Sequence, residues 1–123
     1  MFRKLFRSLR QDEVMLRDAS ITEWAKAMPG VKLMRDAQSR EMVKLAGVVE
    51  RIRVKPQDGT AAYEVAVSDG TGRVRVIWLG RRTVPGLQLG LRMVVEGRLG
   101  EDEKGRKQIL NPTYEFEASS LDH

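Results

Sequence analysis

Apolar and polar positions follow one period over residues 1–42 and another over residues 43–117. In the first stretch Phe2, Leu5, Phe6 and Leu9 recur at helical spacing, with Arg3, Lys4, Arg7 and Arg10 on the remaining face. A second helix is predicted from Ser20, because Ser20-Ile-Thr-Glu23 has the form of a capping box. Ile21, Trp24, Ala25 and Met28 share its apolar face, and Pro29-Gly30 stops it. Residues 31–41 read as a connector with no clear period.

From Val43 the period drops to two. Residues 43–54 are rich in β-branched side chains and contain Gly47, which in a long strand marks a bend or bulge. Residues 56–59 form a loop. Residues 62–68 and 73–79 alternate on either side of Asp69-Gly-Thr-Gly72, a tight-turn signal between strands. Gly80, Pro85, Gly86 and Gly90 make residues 80–90 a loop with no room for a substantial helix. Residues 91–99 form a fourth strand, and a charged loop follows. Residues 106–116 form a fifth, interrupted at Asn111-Pro112. The expected architecture is mainly β: a five-stranded closed barrel over 43–117, preceded by short N-terminal helices in an extension over 1–42 and followed by a tail, 118–123. Closure removes the exposed edges that so short a sheet would otherwise present. An SH3-like barrel is the structural rival; the longer strands and the wide gap between the third and fourth favour the oligonucleotide/oligosaccharide-binding (OB) arrangement.

Composition narrows the chemistry. The 123 residues include no cysteine, and the only histidine is His123, which excludes disulfides, thiol catalysis, Cys or His metal clusters and serine–histidine triads. Lys and Arg number 22 against 17 Asp and Glu, a net charge of +5, which favours an anionic partner. No apolar run approaches the roughly 18 residues of a membrane helix, and the charged N-terminus lacks the continuous apolar stretch of a secretory signal, so a cytoplasmic location is expected. No cofactor is implied.

Residues 43–116 resemble the OB-fold nucleic-acid-binding domains of the anticodon-binding type, and are similar to the wedge domain of RecG helicases. The resemblance is carried by Gly47-Val-Val, Val67-Ser-Asp-Gly-Thr-Gly72, Val76-Ile-Trp-Leu79, the run from Gly90 to Gly97, and Gln108-Ile-Leu-Asn-Pro112. The whole chain resembles the small stand-alone OB-fold proteins of actinobacteria, most distinctively through Ile77-Trp-Leu-Gly-Arg-Arg82 followed by Pro85-Gly86. Such families imply nucleic-acid binding, and their stand-alone members lend no activity to this chain. The chain departs from the usual pattern between strands three and four, where a barrel-plugging helix is common. The N-terminal helices could cover that barrel end instead, which would bury Trp24 and Met28.

Binding a single strand needs a cationic groove for phosphates and flat side chains for bases. Arg51, Arg53 and Lys55 share one face of the first strand, and Arg73 and Arg75 one face of the third. In an OB barrel these faces adjoin, so the set predicts a cationic stripe; a merely solvated outer face is the alternative. Arg81 and Arg82, in the glycine-flanked loop, are candidate contacts, or else partners for Glu96 or Glu50 or for another protein. Lys107, after the charged loop, is a further candidate. Trp78 is a candidate base contact, although its parity with Val74 and Val76 equally fits core packing. Tyr63 has core parity, and at least one of Tyr114 and Phe116 is expected in the core. With aromatics at 6%, binding is expected to lean on phosphates. Glu101-Asp-Glu103 reads as a solvated hairpin tip rather than a magnesium site, and Asp69 as a turn residue. The basic N-terminal helix could dock on the barrel, meet a partner protein, contact nucleic acid or lie on an anionic membrane; ten residues are short for the last.

The function expected is a non-enzymatic module for single-stranded or junction nucleic acid, DNA before RNA. A protein-interaction adaptor within a larger, DNA-processing complex is the alternative.

Overall fold

The computed structural model describes residues 2–57 and 59–117, and for the side chains residues 15–56 and 59–117. The expected tail, 118–123, lies outside the described residues, as do the side chains of Phe2, Leu5, Phe6 and Leu9. The chain runs α1 (Phe2–Ala27), a 3-10 turn (Met34–Asp36), β1 (Met42–Gln57), β2 (Thr60–Ser68), β3 (Arg73–Leu79), β4 (Arg92–Glu101), β5 (Lys107–Leu110) and β6 (Thr113–Phe116).

The N-terminal extension corrects the sequence reading. One continuous helix of 26 residues replaces the two expected. Residues 11–19 contain neither glycine nor proline, so nothing interrupts the helix. Ser20 therefore sits inside it, where the extended backbone that a capping residue needs does not exist. The end at Ala27, just before Pro29-Gly30, is as expected.

β1 is long enough to serve two neighbours. Residues 42–48 pair antiparallel with β4, and residues 48–57 pair antiparallel with β2. The change of partner falls at Val48, next to Gly47, where a Cβ would lie 2.6 Å from the Ser68 carbonyl oxygen, so a side chain at Gly47 would push the strands apart. Two residues on, the register shifts between Val49 and Arg51, leaving Glu50 as a bulge. β2 pairs with β3 antiparallel, β3 with β5 parallel, and β5 with β4 antiparallel, which closes the ring β1–β2–β3–β5–β4. The expected fifth strand is split. Asn111 takes a left-handed φ of 50° and Pro112 cannot donate to a ladder, so β5 ends and β6 turns onto the other stretch of β4.

The inward faces supply one core, with Leu45, Val49, Val65, Val67, Val74, Val76, Met93, Val95, Leu99 and Ile109 all but inaccessible. Residues 80–90 hold no helix, as expected; Val84 and Leu87 drop from this loop into the core. Trp78 is also there, 3% exposed, with its Nε1 donating to the Pro112 carbonyl at 3.4 Å and its ring edge-on to Tyr114. Of its two readings, core packing is the one realised, and Trp78 is removed from the candidate base contacts.

The C-terminal half of α1 covers the barrel at the β2–β3 turn. Ile21 and Ala25 are buried, and the Thr22 hydroxyl donates to the Asp69 carbonyl at 2.7 Å. Gly70, with φ of 86°, lies so close to the Asp18 carbonyl that a Cβ would collide with it. Trp24 is half-buried rather than largely buried, and Arg92 lies over its ring at 5.2 Å. The apolar face of this part of α1 is narrow, so only Ile21 and Ala25 reach the core side.

Candidate nucleic-acid interface

Alternation alone decides which side chains reach the outer surface. Since Val65, Val67, Val74 and Val76 point inward, Glu64, Ala66, Arg73, Arg75, Ile77 and Leu79 point outward. Past the bulge, Arg51, Arg53 and Lys55 stand opposite Ala66, Glu64 and Ala62, on that same outer face. Gln108 and Leu110 of β5 extend the face beyond β3, opposite Arg75 and Ile77. The sequence-predicted cations of β1 and β3 thus share one continuous surface.

They are not equivalent. Arg51 and Arg53 are exposed, and neither has an ion-pair partner among the described residues. Lys55 pairs with Glu64 at 3.4 Å, and Arg73 with the bulged Glu50 at 2.8 Å. Arg75 is only 22% exposed. Its Nε donates to Glu64, and its Nη1 donates to Asp102 of the β4–β5 hairpin at 2.8 Å. The Glu64 hydrogen bond, followed by the charges of Glu64 and Asp102, holds the Arg75 guanidinium above its ordinary pKa against the cost of burial. Burial alone would raise the Glu64 carboxyl, but Arg75 and then Lys55 outweigh it and hold it below the usual range.

Asp102 organises the hairpin between β4 and β5. Its Oδ1 accepts from the Lys104 and Arg106 amides at 2.8 and 2.9 Å, and its Oδ2 accepts from Arg106 Nε at 2.7 Å and from Arg75. The Arg106 backbone bond is the largest of the effects that push the Asp102 carboxyl down to about 2. One carboxylate therefore sets the loop's shape and ties it to β3.

Two concavities result, sharing Arg75 and Arg106. The first runs between β1 and the start of β3, and collects Arg51, Arg73, Arg75, Arg106 and Lys107 against a single carboxylate, Glu50. The second lies between the outer face of β3 and β5 and the β4–β5 hairpin. Lys107 reaches the first while donating from Nζ to the Met34 carbonyl at 2.8 Å, so part of its capacity is committed to the 3-10 turn. Arg81 and Arg82 are exposed on the turn after β3, away from both; Arg82 lines a separate hollow beside Lys55 and the β1–β2 hairpin. Neither arginine pairs with Glu96 or Glu50.

Three contributors escape the sequence reading. Glu64 is visible by parity, alternating with the core residues Tyr63 and Val65. Arg106 and Asp102 read as loop charges, because nothing in their spacing shows that the hairpin folds back onto β3. No group of three or more acidic or histidine side chains able to hold a metal occurs among the described residues, and no described helix is long and apolar enough to cross a membrane.

The sequence profile of the OB-fold nucleic acid binding domain matches residues 43–120. Among solved structures, RecG bound to a three-way DNA junction aligns with a TM-score of 0.60 at 18% identity, over 76% of this chain and 13% of RecG. The chain thus corresponds to a small part of that protein. The OB domain of Ta0387 from Thermoplasma acidophilum aligns with a TM-score of 0.57 at 19% identity, covering 73% of this chain and 89% of that domain. A replication protein A heterotrimer bound to single-stranded DNA gives 0.51 at 17% identity, over 77% of this chain and 71% of the matched one. At such identities the likeness is one of fold. No curated protein matches the sequence.

Proposed function

The chain belongs to the OB-fold nucleic acid binding domain family, and from that premise we propose that it is a non-enzymatic module that holds single-stranded or junction DNA mainly through phosphate contacts. One observation carries the proposal: five cations against one carboxylate line the trough between β1 and β3, with Arg51 at its wall free of any described ion pair. Cations left unpaired on a protein surface attract a polyanion and release its condensed counterions on binding. The outer face of strands two and three is also where OB barrels receive oligonucleotides. RecG and replication protein A, which share the fold, are seen with a three-way DNA junction and with single-stranded DNA. DNA is proposed before RNA, and the cytoplasm as the place of action.

The test is a fluorescence-anisotropy titration with labelled single strands, duplex and three-way junction at rising salt. Binding to single strands or junction with log K falling linearly against log salt is expected, and weaker binding to plain duplex. Absence of binding at the lowest salt overturns the proposal. A second reading then stands, that of an adaptor to a protein partner, favoured by Met15 and Leu16, which are exposed on α1.

A further inference from the structure

The second concavity differs in character from the cationic trough beside it. Its floor is aliphatic: Ile77, Leu79 and Leu110, of which Leu79 and Leu110 are 43% and 50% exposed. Ile77 and Leu110 are register partners across β3 and β5, and Leu79 is held beside them because its amide donates to Asn111 Oδ1 at 2.9 Å. Two large apolar side chains exposed side by side in a groove cost solvation and point to a ligand that covers them.

Charge says which part of a strand that is. The walls carry three cations and three carboxylates, so the hollow is balanced, whereas the adjoining trough, which shares Arg75 and Arg106 with it, adds Arg51, Arg73 and Lys107 against Glu50 alone. Within the hollow, Asp102 already holds Arg75 and Arg106. Glu101 and Glu103 are exposed and have no hydrogen-bond or ion-pair partner among the described residues. A phosphate gains nothing there over the trough. An uncharged ring gains the aliphatic floor, and carboxylates, which only accept hydrogen bonds, favour an edge that donates them.

Resting on the nucleic-acid reading above, we infer that the hollow between β3 and the β4–β5 hairpin seats an unpaired nucleobase bearing an exocyclic amino group, while the neighbouring trough carries the phosphates. Of the described aromatic rings, Tyr63, Trp78, Tyr114 and Phe116 are in or against the core and Trp24 lies on α1 beneath Arg92, so the seat works by aliphatic contact in place of ring stacking. Cytosine presents its N4 amino group to an acceptor, whereas an unpaired thymine offers only the N3–H, flanked by two carbonyls that a carboxylate repels.

The test compares oligo-dC and oligo-dT strands of about twelve nucleotides, within the usual span of an OB barrel, on the full chain. The expected result is oligo-dC binding at least about fivefold tighter than oligo-dT, the low end of what one good edge contact supplies. The E101Q/E103Q variant should lose that preference. The L79S/L110S variant should weaken both strands with an unchanged salt slope, because the phosphates keep all their cations. Equal affinity of the parent for the two strands, or a preference that survives E101Q/E103Q, overturns the base seat and leaves the binding proposal standing. Failure of the parent to bind either strand overturns both.

Discussion

Asp69 reaches 35 residues back along the chain: its Oδ2 accepts the Met34 amide at 2.7 Å, while its Oδ1 accepts from the Thr71 amide and hydroxyl and from the Gly72 amide. A fully buried carboxylate thus shapes the β2–β3 turn and fastens the 3-10 turn to it. Removing it leaves several buried or half-buried donors unmet. Asp69→Ala should lower stability by about 3 kcal/mol, as the loss of a charged buried acceptor does. Urea unfolding with an unchanged m-value would measure it. Asp69→Asn should recover only part of the loss, because an amide can accept on one side but presents N–H groups on the other.

The Asp102 carboxyl, pushed down to about 2 from an ordinary 3.8, makes the β4–β5 hairpin sensitive to acid. A group whose folded pKa is depressed contributes stability that is present above its unfolded value and is lost as pH falls through the folded one. The hairpin should therefore hold its form above about pH 4 and loosen as pH approaches 2. Amide exchange or chemical shifts of Lys104 and Arg106 would follow it. In Asp102→Asn that pH dependence should vanish from both residues.

Trp24 is worth less than a core tryptophan. It is half-buried, and its partner is the Arg92 guanidinium over the ring. Trp24→Ala should cost about 1–2 kcal/mol, well under the roughly 3–5 kcal/mol of a fully buried aromatic, since a cation–π pair at a partly wet site contributes about 0.5–1 kcal/mol. Trp78→Ala should show the full core penalty. Thermal melts of the two variants side by side would check the ranking.

The barrel is legible because a half-buried strand writes its parity into the sequence. Val65, Val67, Val74 and Val76 face inward, and the turn at Asp69 falls where the residue types put it, whereas the bulge of β1 is at Glu50, three residues past Gly47. The cations of β1 and β3 follow from the same parity. The ion pairs follow only in part, since one of the two partners of Arg75, Asp102, lies 27 residues away in a hairpin whose fold-back has no local signal. The continuity of α1 is hidden for the opposite reason. A local signal is present at Ser20, but residues 11–19 form helix straight through it. Trp78 is ambiguous because an inward-facing indole and a base-contacting one share the same residue type.

The unequal pairing of the arginines gives the sharpest test of the interface. Arg51 and Arg53 are exposed and unpaired among the described residues, so replacing both by alanine should leave stability nearly unchanged. Each cation taken away from a phosphate should reduce the salt slope for a single strand by roughly 0.7, so up to about 1.4 for the pair. Arg75→Ala should behave differently. It takes the hydrogen-bonding partner from the buried Glu64, which keeps only Lys55, and unties Asp102 from β3, so it should destabilise the fold and leave two carboxylates less well neutralised near the strand. Binding would then weaken by more than the removal of a single cation explains. Stability from urea unfolding and slopes from anisotropy on both variants give four numbers. If Arg51→Ala/Arg53→Ala leaves the slope at the parent value, phosphates do not pass along β1, and the cations there serve only to solvate the barrel.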